Sequence, residues 1–267
     1  MSLRHYSPRG NRRTGISNRS QGFLNTILAV AIILQIIYPL VSGEALRIIT
    51  LSGIYFAATA MLLHAYYAFG LRYASIYLIV TFAFSLVIEQ IGVRTGWPFG
   101  NYSFDPSLGF QIFGVPLVLP FIWVMMAHPL LVAARRVTQS WIFLYGGIAM
   151  MAWDLFLDPT MVAAHRWSWT FNGAHVPFES DIPLSNAAGW LFVGMGLIAL
   201  LNLVLPRERR KKSADFTVVD LFLIWTFGAG IMGNLLFFHR PGVAFIGGLS
   251  FGIMLAPYTF SRWFGRP

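Results

Sequence analysis

Eight long apolar runs divide this chain, and they leave it few ways to fold. They cover roughly residues 22–42, 46–69, 72–92, 112–134, 140–158, 187–205, 217–238 and 243–260. An α-helix rises about 1.5 Å per residue, so about 20 residues cross the ~30 Å hydrocarbon core of a bilayer. Within that core each backbone N–H and C=O needs a partner, which leaves helices and closed barrels. A barrel would read as alternating segments of about ten residues, and none is seen. The expectation is an all-α, polytopic transmembrane helical bundle of about eight spans. Composition agrees: 57% of the 267 residues are hydrophobic and only 11% are charged, against about 25% charged in a soluble domain.

The basic residues orient the bundle. With both termini cytoplasmic, 15 of the 19 Lys and Arg fall on the inner side. Arg47, Arg94, Arg166 and Arg240 fall outside. That asymmetry follows the positive-inside rule and accounts for the net charge of +9 without a nucleic-acid partner. Residues 1–21 read as a basic cytoplasmic arm, expected to be disordered, although a transit peptide shares its composition. Residues 22–260 read as a single transmembrane domain and 261–267 as a short cytoplasmic tail. The run from Gly22 to Val41 is long enough to span, which argues against a cleaved signal. The chain has no cysteine, so disulfides, thiolate nucleophiles and iron–sulfur sites are excluded.

Two glycine motifs lie within spans. Gly248-x-x-x-Gly252 reads as a close helix contact. Gly228-Ala-Gly230-Ile-Met-Gly233 has the letters of a dinucleotide fingerprint but follows no strand, so it also reads as helix packing. Two outer loops are longer than the rest, Arg94 to Pro116 and Pro159 to Trp190. Both are rich in Gly, Pro and Trp, as turns and interfacial anchors are. They read either as aromatic plugs between helices or as a lid over a cavity.

The stretch Met150–Pro159, MMAWDLFLDP, ends an apolar run yet carries Asp154 and Asp158. Four residues apart on a helix, both carboxyls share one face. A charged carboxylate at membrane depth costs about 3 kcal/mol unless paired, and two neighbours repel, so the pair should titrate as a unit. The eight-span layout brings Glu89 and Gln90, Ser185 and Asn186, and Asn234 and His239 to the same outer level. Intramembrane ionisable groups mark a functional site by default. His64 and His128 fall at inner span ends and read as packed or interfacial. Asp220 reads as facing the interface. No histidine spacing suits a di-iron or zinc site, so no metal and no cofactor are expected.

A carboxyl cluster without metal, thiol or nucleotide suits proton transfer. An apolar, aromatic-lined cavity suits a hydrocarbon substrate. Tryptophan faces stabilise a carbocation by cation–π attraction, and Trp97, Trp153, Trp167, Trp169 and Trp190 lie near the cluster, whereas Trp123 sits mid-span. Asp154, Asp158 and Glu89 are the candidate proton donors and acceptors.

Glu89-Gln90-Ile91-Gly92, Gly96-Trp97-Pro98-Phe99-Gly100-Asn101-Tyr102, Leu108-Gly109 and Gly114-Val115-Pro116 together resemble the carotenoid-biosynthesis family of integral membrane hydratases. Asp154-Leu155-Phe156-Leu157-Asp158-Pro159, Trp167-Ser168-Trp169, Pro183-Leu184-Ser185-Asn186 and Gly189-Trp190 fit the same family. The matching blocks cover roughly residues 85–190. The resemblance implies addition of water across the terminal 1′,2′ double bond of an acyclic carotenoid end, with lycopene, γ-carotene or bisanhydrobacterioruberin as substrates. It implies one of Asp154, Asp158 and Glu89 as the acid and another as the base that orients water, with Asn186 and Asn101 helping to hold that water. It adds Tyr102 to the substrate-binding set and implies a bacterial or archaeal cell membrane, with other carotenoid-biosynthesis enzymes as partners. One departure is Glu179-Ser180-Asp181-Ile182-Pro183, where an aromatic-Gly-Ile/Val-Pro approach to Asn186 is expected. Three other readings share features: a carotenoid cyclase, a UbiA-type prenyltransferase whose diphosphate motif Asp154-x-x-x-Asp158 would imitate, and a non-enzymatic lipid or carotenoid carrier.

Overall fold

The computed structural model describes residues 17–206 and 215–265. Most of the basic arm, the basic run at 207–212 and Arg266 lie outside them. Among the described residues, eight helices are long and apolar enough to cross a membrane. They are α1 (Asn18–Ile37, with a 3₁₀ turn to Leu40), α2 (Gly43–Phe69), α3 (Leu71–Thr95) and α4 (Val118–Val137). After these come α5 (Ile142–Ala163), α6 (Leu184–Val204), α7 (Thr217–Met232, extended by a π-helical turn over Gly233–Phe237) and α8 (Pro241–Trp263). The bundle is built around α4, most of whose residues are buried, while α1 lies at the edge with few.

Two boundaries differ from the sequence reading. α4 begins at Val118, not near 112, because β2 (Gln111–Ile112) and β3 (Val115–Pro116) pair as a small hairpin first. Phe113 and Gly114 turn it with φ of 53° and 88°, the left-handed pair that tight hairpins require. α5 runs through Pro159 to Ala163. The last turn of α5 is tied to its neighbours: Arg240 donates to the Pro159 carbonyl, and Tyr38 Oη donates to that of Thr160 at 3.4 Å.

The helix pair that positions the acids is α5–α6. A Cβ on Gly147 would lie 2.8 Å from the Leu191 carbonyl oxygen, so only glycine allows this approach. Asp154 and Asp158 lie seven and eleven residues beyond Gly147, on the same face. The close contact thus sets how near they come to α6. Gly147→Leu is expected to lower the thermal midpoint and the yield of folded protein, as overpacking costs about 1–3 kcal/mol. A midpoint unchanged from wild type would show that the helices can separate without penalty.

The Gly248–Gly252 pair packs against α7, and in the second motif Gly230 packs while a Cβ on Gly228 would meet nothing within 4 Å. Added Cβ atoms on Gly248 and Gly252 would sit 3.0 Å and 3.2 Å from Ile231 and Phe227 of α7, and one on Gly230 would sit 2.8 Å from Phe156. Contrary to the expectation from sequence, Asp220 faces inward, 7% exposed, not toward an interface. Its carboxylate accepts Tyr258 Oη at 2.5 Å and Arg262 Nε at 2.9 Å, tying α7 to α8. A lone acid in an apolar helix needs such partners. His64 and His128 are packed, not interfacial: both are fully buried, with Nδ1 of the first 2.9 Å from Nε2 of the second.

At the end of the bundle where α3, α5 and α7 finish, the two long loops join. β1 (Tyr102–Phe104) pairs antiparallel with β4 (Trp167–Trp169), in the register Tyr102↔Trp169, Ser103↔Ser168, Phe104↔Trp167. Strand residues alternate faces, so the four aromatics turn inward and the two serines outward, where both are exposed. Arg166, 7% exposed, fastens the ladder by donating to Ser107 Oγ at 2.9 Å. The hairpin β5 (His175–Val176) and β6 (Glu179–Pro183) then leads into α6.

Candidate active site

Beneath the joined loops lies a small cavity of about 30 Å³, room for a water or two. Its polar lining is Glu89 from α3, Asp158 from α5 and Asn186 from α6. Its apolar lining includes Phe99, Tyr102, Trp123, Trp167, Trp169 and Trp190. The inward stripe of α3, Tyr77, Thr81, Ser85 and Glu89, recurs every fourth residue and is buried throughout, so Glu89 is aimed at the centre by helical period alone.

Each carboxyl is individually held. Glu89, 4% exposed, accepts Tyr102 Oη on Oε2 at 2.7 Å and Trp123 Nε1 on Oε1 at 3.0 Å. Asp158, 3% exposed, accepts Trp167 Nε1 on Oδ1 at 3.1 Å. Asn186 Nδ2 donates to Oδ2 of both aspartates, 3.1 Å from that of Asp154. One amide thereby bridges the pair, spending one N–H on each. Asp154 lies one turn deeper and does not line the cavity. Its Oδ1 and the Oδ1 of Asn186 are buried without a hydrogen-bond partner. Among the described residues, no ion pair includes any of the three acids. A buried carboxyl cluster with donors but no counter-cation is suited to holding and passing a proton.

The fold therefore brings together Glu89, Asp154, Asp158, Asn186, Tyr102, Trp167, Trp169 and Trp190. It separates the others. Trp97 is 62% exposed at the loop surface. Asn101 is exposed, and its backbone carbonyl accepts Thr170 N–H at 2.9 Å, extending the ladder. Trp153 packs edge-on against Phe222 and Phe251 and lines a different cavity. Ser185 and His239 are exposed, and Asn234 lines that second cavity. The outer polar residues thus form two groups, not one. Trp123, at mid-span, nonetheless donates to Glu89 and stacks on Trp190 with centroids 4.6 Å apart. Its signal was its depth relative to Glu89 on the neighbouring span.

A family model described as carotenoid biosynthesis protein matches residues 50–254. The chain belongs to the carotenoid biosynthesis protein family. Among curated proteins, bisanhydrobacterioruberin hydratase of Haloarcula japonica is 33% identical over 167 residues. The match covers 58% of this chain and 55% of that relative, so the chain spans about half the relative's length. No solved structure matches. The family match contains the entire carboxyl cavity, from Glu89 to Trp190. This member of the carotenoid biosynthesis family therefore carries its polar cluster within the part that defines the family.

Proposed function

We propose that this protein is a carotenoid hydratase of a bacterial or archaeal cell membrane, adding water across the terminal 1′,2′ double bond of an acyclic carotenoid end. The observation that carries this reading is the small, aromatic-lined cavity holding Asp158 and Glu89 with room for water between α3, α5 and α6. The Asp154–Asp158 pair shares a proton, and Asp158, the member lining the cavity, delivers it to the less substituted alkene carbon. That leaves a tertiary cation facing Trp123, Trp167, Trp169 and Trp190, whose π-faces stabilise it. Water held by Asn186 and Glu89 forms the C–O bond and gives its proton to Glu89. The net change is alkene plus water to tertiary alcohol, and proton exchange between Glu89 and the aspartate pair resets the site. The chemistry needs no redox partner. Lycopene, γ-carotene and a C-fifty precursor all offer such an end. A cyclase would share the protonation step, but the donors around the cavity favour capture by water.

Two expectations follow. Both termini lie in the cytoplasm, as the 15-to-4 split of basic residues requires. Accessibility labelling at Ser140, between α4 and α5, and at Ser107, beneath the loop ladder, should then report opposite sides. Labelling of both from one side would overturn the topology. Chelation should leave turnover unchanged, since each acid already accepts from a Tyr, Trp or Asn donor. Activity lost to chelator and restored by magnesium would favour the prenyltransferase reading.

A further inference from the structure

A second cavity, about 650 Å³, opens between α1, α2, α5 and α7. It is more than twenty times the volume of the carboxyl cavity. Three observations give it an occupant. Leu157 lines both cavities, as a half-buried side chain standing between them. The rim carries Ile36, Ile224, Met232 and Phe237, all lining the groove and 38–58% exposed, so it opens sideways where a bilayer would lie. Asn234, 2% exposed, lines the groove, donates Nδ2 to the Gly230 carbonyl at 2.8 Å, and leaves Oδ1 buried without a partner. Asn234 stands in the π-helical turn of α7, a distortion that recurs at functional sites.

We propose that this groove is the binding site for the long polyene body of the substrate. Leu157 is the partition its end passes to reach the carboxyls, and Asn234 Oδ1 is the acceptor for the hydroxyl of the hydrated end as it leaves. The proposal rests on the hydratase reading for the identity of the ligand. The groove supplies what the carboxyl cavity lacks, volume for a hydrocarbon and a lateral entrance. An unpaired buried carbonyl oxygen is costly and is relieved by a hydroxyl donor.

The test uses the full chain purified from a lycopene-producing host. A Cβ on Gly228, which lines the groove, would meet nothing within 4 Å, so Gly228→Leu should fold and fill the space. We expect it to co-purify with at least tenfold less pigment than wild type at an unchanged thermal midpoint. Ile224→Trp, on the exposed rim, is the second variant should the first fail to fold. Asp158→Asn should keep its pigment while forming no alcohol. In spectral titration, wild type should hold monohydroxylated lycopene about fivefold more tightly than lycopene, the scale of one net hydrogen bond, and Asn234→Leu should equalise them. Pigment retained at wild-type levels in both groove variants would overturn the proposal, as would equal wild-type affinities, even with alcohol forming normally. Pigment bound and lost as expected, but never hydrated by wild type, would keep the groove and remove the hydratase reading.

Discussion

Asp158→Asn is expected to cut turnover by 10²-fold or more, the scale of a lost general acid, with folded protein near wild-type levels. The amide keeps the shape and removes the proton. Folding should survive because Oδ1 can still accept Trp167 Nε1, and a neutral amide is cheaper at membrane depth than an unpaired carboxylate. The cost that remains is local: an amide nitrogen in place of Oδ2 would face Asn186 Nδ2, donor against donor. Asn186 can flip, because its own Oδ1 is unpartnered, and then accepts instead, with Asp154 Oδ2 keeping the proton of the former pair and donating it to the same oxygen. Asp154→Asn should behave similarly, though Asp154 acts through its partner and does not line the cavity. Changing both should cost little more than the worse single change, since residues acting as a unit are not additive. Near-normal specific activity in both single variants would assign the pair to structure.

Glu89→Gln is expected to impair turnover by about 10²-fold as well, with a distinct structural signature. Glu89 accepts two donors of unequal versatility. Trp123 Nε1 can only donate, whereas Tyr102 Oη can donate or accept. Glutamine should therefore keep its oxygen toward Trp123 and turn its amide toward Tyr102, preserving the fold. Trp123→Phe leaves one carboxylate oxygen bare and loosens Glu89, so it should lower turnover about tenfold, less than losing the base itself. A Glu89→Gln protein that hydrates at the wild-type rate would reduce Glu89 to a tie between α3 and α4.

Much of this arrangement was legible in the chain. Eight runs gave eight helices, and the i, i+4 spacing placed Asp154 and Asp158 on one face. Glu89 and Asn186 were placed beside them by the topology alone. The loops were not legible. Their ladder has only three residue pairs, too short for a period-2 pattern, although the mirrored Tyr102-Ser103-Phe104 and Trp167-Ser168-Trp169 carry its alternation. Trp97 and Asn101 sit in the matching motif but at the surface, because motif proximity along a loop does not fix which side faces inward. Trp153 follows a helix face that turns away from the carboxyl cavity. Asn234 reached the right depth but the wrong cavity, since depth along a span says nothing of its rotation.

Hydration of a carotenoid end in the carboxyl cavity is tested by pigment analysis of membranes from a lycopene-producing host expressing the wild-type chain or Asp158→Asn, normalised to folded protein. Wild type should yield a tertiary alcohol heavier than lycopene by one water for each hydrated end, and Asp158→Asn should yield lycopene alone. Unchanged lycopene in both, or a cyclised isomer of unchanged mass, would rule out hydration at this site.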